Sequence, residues 1–432
     1  MRFCHISLLK ACTLKIHNVT IVHEKMSNIT IVLTEGDIMR SLSEKHAAIQ
    51  PSVTLAITAK AKKMKADGVD VLSFAAGEPD FKTPQHIRKA AIDVIEAGNT
   101  GYTAASGIPA LKQAICNKLD NDNGVKYKPE NIIVSSGAKH SLFNTLQVLL
   151  NPGDSVLFAT PFWVSYPELI KMAGGEPIQI MTTEDGGFKV TPELLESART
   201  ETTKAIIINS PNNPTGTVYT EEELKAIALW AVENKLYIIS DEIYEKLVYG
   251  ATHTSMASFG DAVKKRTIIV NGMSKAYAMT GWRIGYTASN LEIAKMMNNI
   301  QSHATSNPNT VAQYAALEAI EGDQEPLDAM VMEFGARRDF MVDRVNAIKG
   351  ISCRKPEGAF YVMVNIEEII GKTLGGVKIT GSMAFAEYLL DNSQVAVIPG
   401  AGFGVDNYVR LSYATSMDNI IRGLDRIESA IK

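Results

Sequence analysis

The 432-residue sequence is 46% hydrophobic and 21% charged, ordinary for a globular chain and long enough for two domains. Its 43 basic and 47 acidic residues leave a net charge of -4, which offers no electrostatic footprint for nucleic acid and makes a small-molecule partner the better expectation. Four scattered cysteines (Cys4, Cys12, Cys116, Cys353) and eight dispersed histidines show no CxxC or HExxH spacing, which argues against a disulfide framework and leaves a metal site without support.

No apolar run approaches the roughly 20 residues of a membrane-spanning helix. A soluble protein of a reducing compartment, the cytoplasm, is the expectation. Residues 1–38 read differently from the rest: β-branched runs such as Ile29 to Leu33 alternate with polar residues, and no helical period appears. They have neither the apolar core of a secretory signal nor the Arg-rich amphipathic character of a mitochondrial one. They are read as an N-terminal extension of unknown role, with Met39 close to where organised sequence begins.

From about residue 130 to 290, runs of strand length alternate with helical patterns, which points to an α/β domain with a mostly parallel sheet. The clearest are Ile132 to Val134, Val156 to Phe158, Ala205 to Ile208, Leu236 to Ile239 and Thr267 to Val270. Each is apolar on both faces, as a strand covered by helices on both sides must be. Thr220 to Glu223 forms a capping box, and Leu224, Ile227, Ala228 and Ala231 follow at helical spacing, so a crossover helix is expected there. After about residue 325, an amphipathic helix around Arg337 to Ile348 is followed by strand-like runs at Phe360 to Val364, Val395 to Ile398 and Val409 to Tyr413. These make a smaller α+β domain, joined by the organised part of the N-terminus.

Ligands of an open α/β sheet bind beyond the carboxyl ends of its strands, so the residues following each run carry the functional information. The first run leads into Ser135-Ser136-Gly137-Ala138-Lys139, a small-residue turn whose backbone N–H groups can receive a phosphate or simply make the turn. The second leads to Trp163, which either stacks on a flat ligand or packs in the core. The third ends in Asn209-Ser210-Pro211-Asn212-Asn213-Pro214, a loop stiffened by two prolines that exposes side-chain amides. The fourth ends in Asp241-Glu242-Ile243-Tyr244, and an aspartate there is costly unless a cation meets it. The fifth runs through Ser274 and Lys275 to Arg283, cations suited to a carbonyl-bearing, phosphorylated cofactor. Singly these charges read as solvated surface groups; five consecutive strand ends with complementary groups do not.

Together with Ala76-Gly77-Glu78-Pro79-Asp80-Phe81 and Val409-Arg410-Leu411-Ser412-Tyr413, these motifs resemble the class I aminotransferases of fold type I, most closely the bacterial aspartate aminotransferase branch. The resemblance runs from about Met39 to the C-terminus. It implies a large domain with a seven-stranded, mostly parallel sheet at residues 85–324 and a small domain from residues 39–84 and 325–432. It also implies pyridoxal 5'-phosphate as cofactor and ping-pong transamination between an L-amino acid, aspartate first, and 2-oxoglutarate through pyridoxamine phosphate.

By the same resemblance, Lys275 carries the cofactor and moves the proton, and Asp241 pairs with the ring nitrogen. Asn213 and Tyr244 hold the ring oxygen, and Trp163 stacks on the ring. Gly137, Ala138, Ser274 and Arg283 bind the phosphate, which Tyr102 reaches from a neighbouring subunit of a homodimer. Arg410 clamps the substrate α-carboxylate with Gly77, Asn213 and Trp163. Another branch of the family recognises the side-chain carboxylate with an arginine from the partner, but Gln301 to Pro308 contains none, which leaves that task to Lys139. Prephenate, aromatic amino acids and alanine remain alternative substrates. A transcription regulator built on this domain would need more than the 38 spare residues for its DNA-binding part.

Overall fold

Three strands near the N-terminus, β1 (Cys12–Ile16), β2 (Val19–Lys25) and β3 (Asn28–Leu33), pair antiparallel in that order, so the β-branched runs form a meander. Besides these, the computed structural model describes positions 43 and 49 and residues 53–432. The chain divides into two compact units, Met1–Ala48 and Ile49–Lys432. The start of the organised sequence expected at Met39 lies outside the described residues.

In the second unit, a helix at Val53–Ala66 leads to a short strand, β4 (Leu72–Ser73). One sheet is then built from β5 (Ile132–Ser135), β6 (Ser155–Ala159), β7 (Glu176–Ile180), β8 (Thr203–Asn209), β9 (Tyr237–Asp241), β10 (Thr267–Gly272) and β11 (Gly285–Ala288). Its order is β5-β11-β10-β9-β8-β6-β7. Neighbours from β10 to β7 are parallel, and β11 is antiparallel to both β10 and β5. The sequence runs point to five of these strands. β7 escapes that reading because it is a half-exposed edge strand, Glu-Pro-Ile-Gln-Ile, where proline and polar residues are tolerated. β11 escapes it because it is four residues long and begins with glycine.

The double-sided apolar character of the central strands has its cause in two covered faces. Along β8, Ala205 and Ile207 enter one core while Ile206 and Ile208 enter another, and Ile239 and Ile238 of β9 divide the same way. The helices Ala138–Leu149 and Leu291–Ala304 supply Leu142, Leu146, Ile293 and Met297 to the first core. The helix Glu221–Glu233 supplies Leu224 and Ile227 to the second. Its capping box forms as expected: Thr220 N–H donates to Glu223 Oε2 at 2.7 Å and Glu223 N–H donates to Thr220 Oγ1 at 3.3 Å.

The C-terminal part begins with a 23-residue helix, Glu325–Ala347, longer than its amphipathic core because Leu327, Met330 and Phe334 continue the buried stripe toward the N-terminus. A four-stranded antiparallel sheet follows, ordered β12 (Ser352–Cys353), β13 (Tyr361–Asn365), β18 (Tyr408–Ser412), β17 (Ile398–Pro399). A small hairpin, β14 (Thr373–Leu374) and β15 (Val377–Lys378), stands apart from it. The run expected at Val395 to Ile398 divides: β16 (Val395–Ala396) pairs in parallel with β4, and β17 pairs with β18. Among the described residues, no helix is long and apolar enough to cross a membrane.

One close approach ties the sheet to the site. A Cβ at Gly285 would lie 2.7 Å from Ala138 Cα, so β11 packs directly against the first turn of the helix Ala138–Leu149. Backbone cannot yield as a side chain does. Gly285→Ala is expected to cost about 2 kcal/mol of stability, the ordinary range for an overpacked core site. Thermal denaturation checks this; an unchanged midpoint would mean that strand and helix can separate freely.

Candidate active site

A cavity of about 700 Å³ opens where the strand ends converge with the C-terminal sheet. It brings together most of the residues singled out in the sequence: Gly77, Ala138, Lys139, Trp163, Asn213, Asp241, Tyr244, Ser274, Lys275, Arg283 and Arg410 all line it. Gly137 stands at its edge as the N-cap of the helix Ala138–Leu149. Tyr102 does not line it and is 92% exposed.

Asp241 ends the central strand β9, in register with Asn209 of β8 and Val270 of β10. Its Oδ2 accepts from Tyr166 Oη at 2.7 Å and its Oδ1 from the Ile243 N–H at 3.3 Å. No cation pairs with it among the described residues. Burial therefore pushes its carboxyl up to about 6, against the lowering effect of those two bonds.

Lys275 lies in the loop that leaves β10, half-buried, and its ammonium donates to the Gly77 carbonyl. Burial lowers it to about 8; Glu78 opposes the shift, while Arg410 and Arg283 add to it. An amine with that value is substantially neutral in mild base and so is a nucleophile for a carbonyl carbon.

Arg283 has left-handed backbone (φ 58°), which turns its side chain back across the helix N-terminus. Its guanidinium donates to the Thr280 carbonyl at 3.0 Å and occupies the space a Cβ on Gly137 would need. Gly137 itself has φ 91°. Here a glycine is required twice over, by conformation and by contact. The His140 N–H donates to the Gly137 carbonyl at 3.0 Å, while the N–H groups of Ala138 and Lys139 precede any intrahelical acceptor, so with Arg283 and the Ser274 hydroxyl they make an anion cradle.

Arg410 projects from β18 and is 4% exposed. Its Nη1 donates to Asn213 Oδ1 at 3.0 Å and its Nη2 to the Ala75 carbonyl at 3.4 Å, while its buried Nε has no partner. The guanidinium lies 4.2 Å from the centre of the Tyr361 ring and 5.1 Å from that of Phe403. Asn213 turns its Nδ2 to the Tyr244 hydroxyl at 3.4 Å, and that hydroxyl lies 3.1 Å from the hydroxyl of Tyr361. Trp163 stands edge-on to Tyr166 at 5.4 Å, with the Lys139 ammonium 4.9 Å from its ring centre. Desolvation, and then Arg283, hold Lys139 below the usual lysine value.

Sequence reasoning missed Tyr166 and Tyr361. Tyr166 lies on the first turn after Trp163, and Tyr361 opens a strand read only as core; neither follows a strand end of the large sheet. It also missed Lys62 and Lys65, on the helix Val53–Ala66, which bring the lining cations to six with Lys139, Lys275, Arg283 and Arg410. Only Glu78 and Asp241 oppose them, and none of the six has a recorded ion pair among the described residues. The cavity is thus strongly anion-attracting within a chain that is itself slightly acidic.

Nor does dispersion in sequence mean dispersion in space. His253, Glu242 and Glu245 meet behind β9, with His253 Nε2 3.3 Å from Glu242 Oε2. Lys118 pairs with Glu245, and Ser240, Ser255 and the Met256 N–H satisfy Glu242, so protein groups already meet both carboxylates.

The donor set fits a flat molecule with a cationic ring nitrogen over Asp241, a carbonyl at Lys275, an anion in the Gly137–Arg283 cradle and a carboxylate at Arg410. The chain superposes on the aspartate aminotransferase from Rhizobium meliloti with a TM-score of 0.88 at 40% identity, covering 91% of this chain and 99% of that one. It is 50% identical over 392 residues to the aspartate aminotransferase of Bacillus sp. (strain YM-2), covering 90% of this chain and 99% of the relative. It is 48% identical to the aspartate/prephenate aminotransferase of Cereibacter sphaeroides (strain ATCC 17029 / ATH 2.4.9), covering 89% and 96%. The family model for aminotransferase class I and II matches residues 69–427. The chain belongs to that family and is an enzyme, an aminotransferase.

The buried carboxylate makes stability depend on pH. The folded chain keeps the Asp241 proton up to about pH 6, whereas an unperturbed aspartate releases it near 3.8, so this group's contribution is complete below 3.8 and is lost as the pH rises through about 6. A shift of about two units is worth roughly 3 kcal/mol. Asp241→Asn should flatten that slope in the cofactor-free protein. Melting profiles at pH 4.5 and 7 test this; parallel profiles for the two proteins would remove Asp241 as the source.

Proposed function

We propose that this chain binds pyridoxal 5'-phosphate in the cavity, covalently through Lys275, and catalyses transamination between L-aspartate and 2-oxoglutarate with ping-pong kinetics. The observation that carries the reading is a buried Asp241 carboxylate with no paired cation among the described residues, facing a cavity that also holds the depressed amine of Lys275 and the buried, incompletely bonded Arg410. When bound, the cofactor supplies the electron sink that lets the Cα–H bond of an amino acid break.

The chain's own groups do the rest. Asp241 keeps a proton on the ring nitrogen, and its cost of burial falls when that cation arrives. Tyr244 and Asn213 donate to the ring oxygen, and Trp163 covers one ring face. Ala138, Ser274 and Arg283, with the turn at Gly137, hold the phosphate. Arg410 grips the substrate α-carboxylate beside Asn213, Trp163 and Gly77, which orients the Cα proton toward Lys275. Lys275 would take that proton and return it to the former carbonyl carbon of the cofactor, across the amino nitrogen.

Aspartate is favoured because a second carboxylate in this cavity meets uncompensated cations, Lys139 first. Of the alternative substrates, prephenate, aromatic amino acids and alanine, prephenate has support from the name of the Cereibacter relative and from the same excess of cations. The exposure of Tyr102, an aromatic side chain away from its own cavity, supports a homodimer in which it reaches the partner's phosphate. The same reading assigns residues 85–324 to a large cofactor-binding domain, 39–84 and 325–432 to a small one, and 1–38 to an extension; buried free Cys116 and Cys353 suit the cytoplasm.

Two experiments test this. Borohydride reduction of the cofactor-loaded protein followed by peptide mapping should tag Lys275, and Lys275→Ala should lose transamination while it retains the fold; a tag on another lysine would overturn the assignment. Lys139→Ala should lower kcat/KM for aspartate by roughly 2–4 kcal/mol of transition-state stabilisation and leave alanine nearly unchanged. Equal losses for both donors would place Lys139 at the phosphate instead.

A further inference from the structure

Tyr361 touches both halves of the site. It opens β13 and is 1% exposed; its ring lies under the Arg410 guanidinium at 4.2 Å and its hydroxyl lies 3.1 Å from that of Tyr244. Asn213 closes the circuit, accepting from Arg410 at 3.0 Å and reaching Tyr244 at 3.4 Å. Arg410, Asn213, Tyr244 and Tyr361 therefore form a ring of contacts around one corner of the cavity.

Counting donors fixes the Asn213 end of that ring. Arg410 has no acceptor, so Asn213 must present Oδ1 to it and Nδ2 to Tyr244, which makes Asn213 a donor to the Tyr244 oxygen. The Tyr361 hydroxyl has one proton, and among the described residues its recorded partner is Tyr244. The guanidinium stacked on its ring offers no lone pair. Either hydroxyl can donate to the other; when Tyr361 donates, the Tyr244 oxygen has both acceptor positions filled, and its own proton is left to point into the cavity. Such chained donation strengthens each bond.

We propose that Tyr361 is a positioning residue that aims the Tyr244 proton at the cofactor ring oxygen and holds the plane of the Arg410 guanidinium, so that the carboxylate clamp and the cofactor contact act as one unit. This deepens the transamination reading and rests on it. Tyr361→Phe keeps the stacked ring and removes only the hydroxyl, whereas Tyr361→Leu removes both.

The test titrates the absorption band of the protein-bound cofactor with pH and separately measures KM, kcat and the binding of succinate, a dicarboxylate that cannot react. A weaker donor at the ring oxygen disfavours its anion. Tyr361→Phe should therefore move the spectral midpoint up by about half a pH unit or more while KM for aspartate stays within about twofold. Tyr361→Leu should show the same spectral shift and, in addition, raise KM and weaken succinate binding about tenfold, since the guanidinium loses its platform. A wild-type midpoint in Tyr361→Phe, or a Phe variant with the KM defect of the Leu variant, overturns the proposal. Wild-type protein that acquires no band overturns the underlying cofactor reading instead.

Discussion

The carboxylate of Asp241 is the charge around which the site is organised. It sits at the end of the central strand, between two parallel neighbours, where it is buried and is met by a phenol and one amide but, among the described residues, no paired cation. Such a group raises the energy of the empty protein and lowers that of a complex with a cationic ring. Tyr166 donates to it without neutralising it, so the demand for positive charge is left for the ligand. In a parallel sheet this position is natural, because strand ends on one side of the sheet all deliver their next residues to the same crevice.

The same logic extends outward. The anion cradle uses backbone, which only a glycine at position 137 and a left-handed Arg283 allow to come close, and it is pressed into place by β11 through Gly285. Opposite it, Arg410 arrives from the antiparallel C-terminal sheet and is held flat by Tyr361 and Phe403. The large sheet thus leads into Asp241, Lys275 and the anion cradle, and the C-terminal sheet supplies Arg410. The parallel pair of β4 with β16 brings the Gly77 segment beside that second sheet, and Lys275 bonds to the Gly77 carbonyl across the seam. Six cations against two carboxylates then bias the crevice toward anions before any specific bond forms.

Much of this was legible in the sequence for one reason: a strand covered on both faces leaves a run of apolar residues, and the residue after the run is the one at the crevice. Ile132 to Val134, Ala205 to Ile208, Leu236 to Ile239 and Thr267 to Val270 declare themselves, and Gly137, Asn213, Asp241 and Lys275 follow from where those runs stop. The capping box at Thr220 is equally local, because every atom it needs lies within four residues. Edge strand β7 and the four-residue β11 leave no such run, since exposure or brevity removes the apolar pattern that burial on two faces would impose.

Tertiary structure alone decided the partners. Tyr166 and Tyr361 look like core aromatics in the sequence, and only packing brings one to Asp241 and the other under Arg410 from 49 positions away in the chain. His253 joins Glu242 although neither sits at a ligand spacing, and Lys62 and Lys65 carry no local mark of a site, since only the placing of their helix makes them line the cavity. Sequence by itself determined which strands are buried and where they end, because burial and termination are recorded in neighbouring residues. Which side chain meets which depended on contacts between residues remote in the chain, and these are set by the packing of helices and sheets rather than by any local pattern.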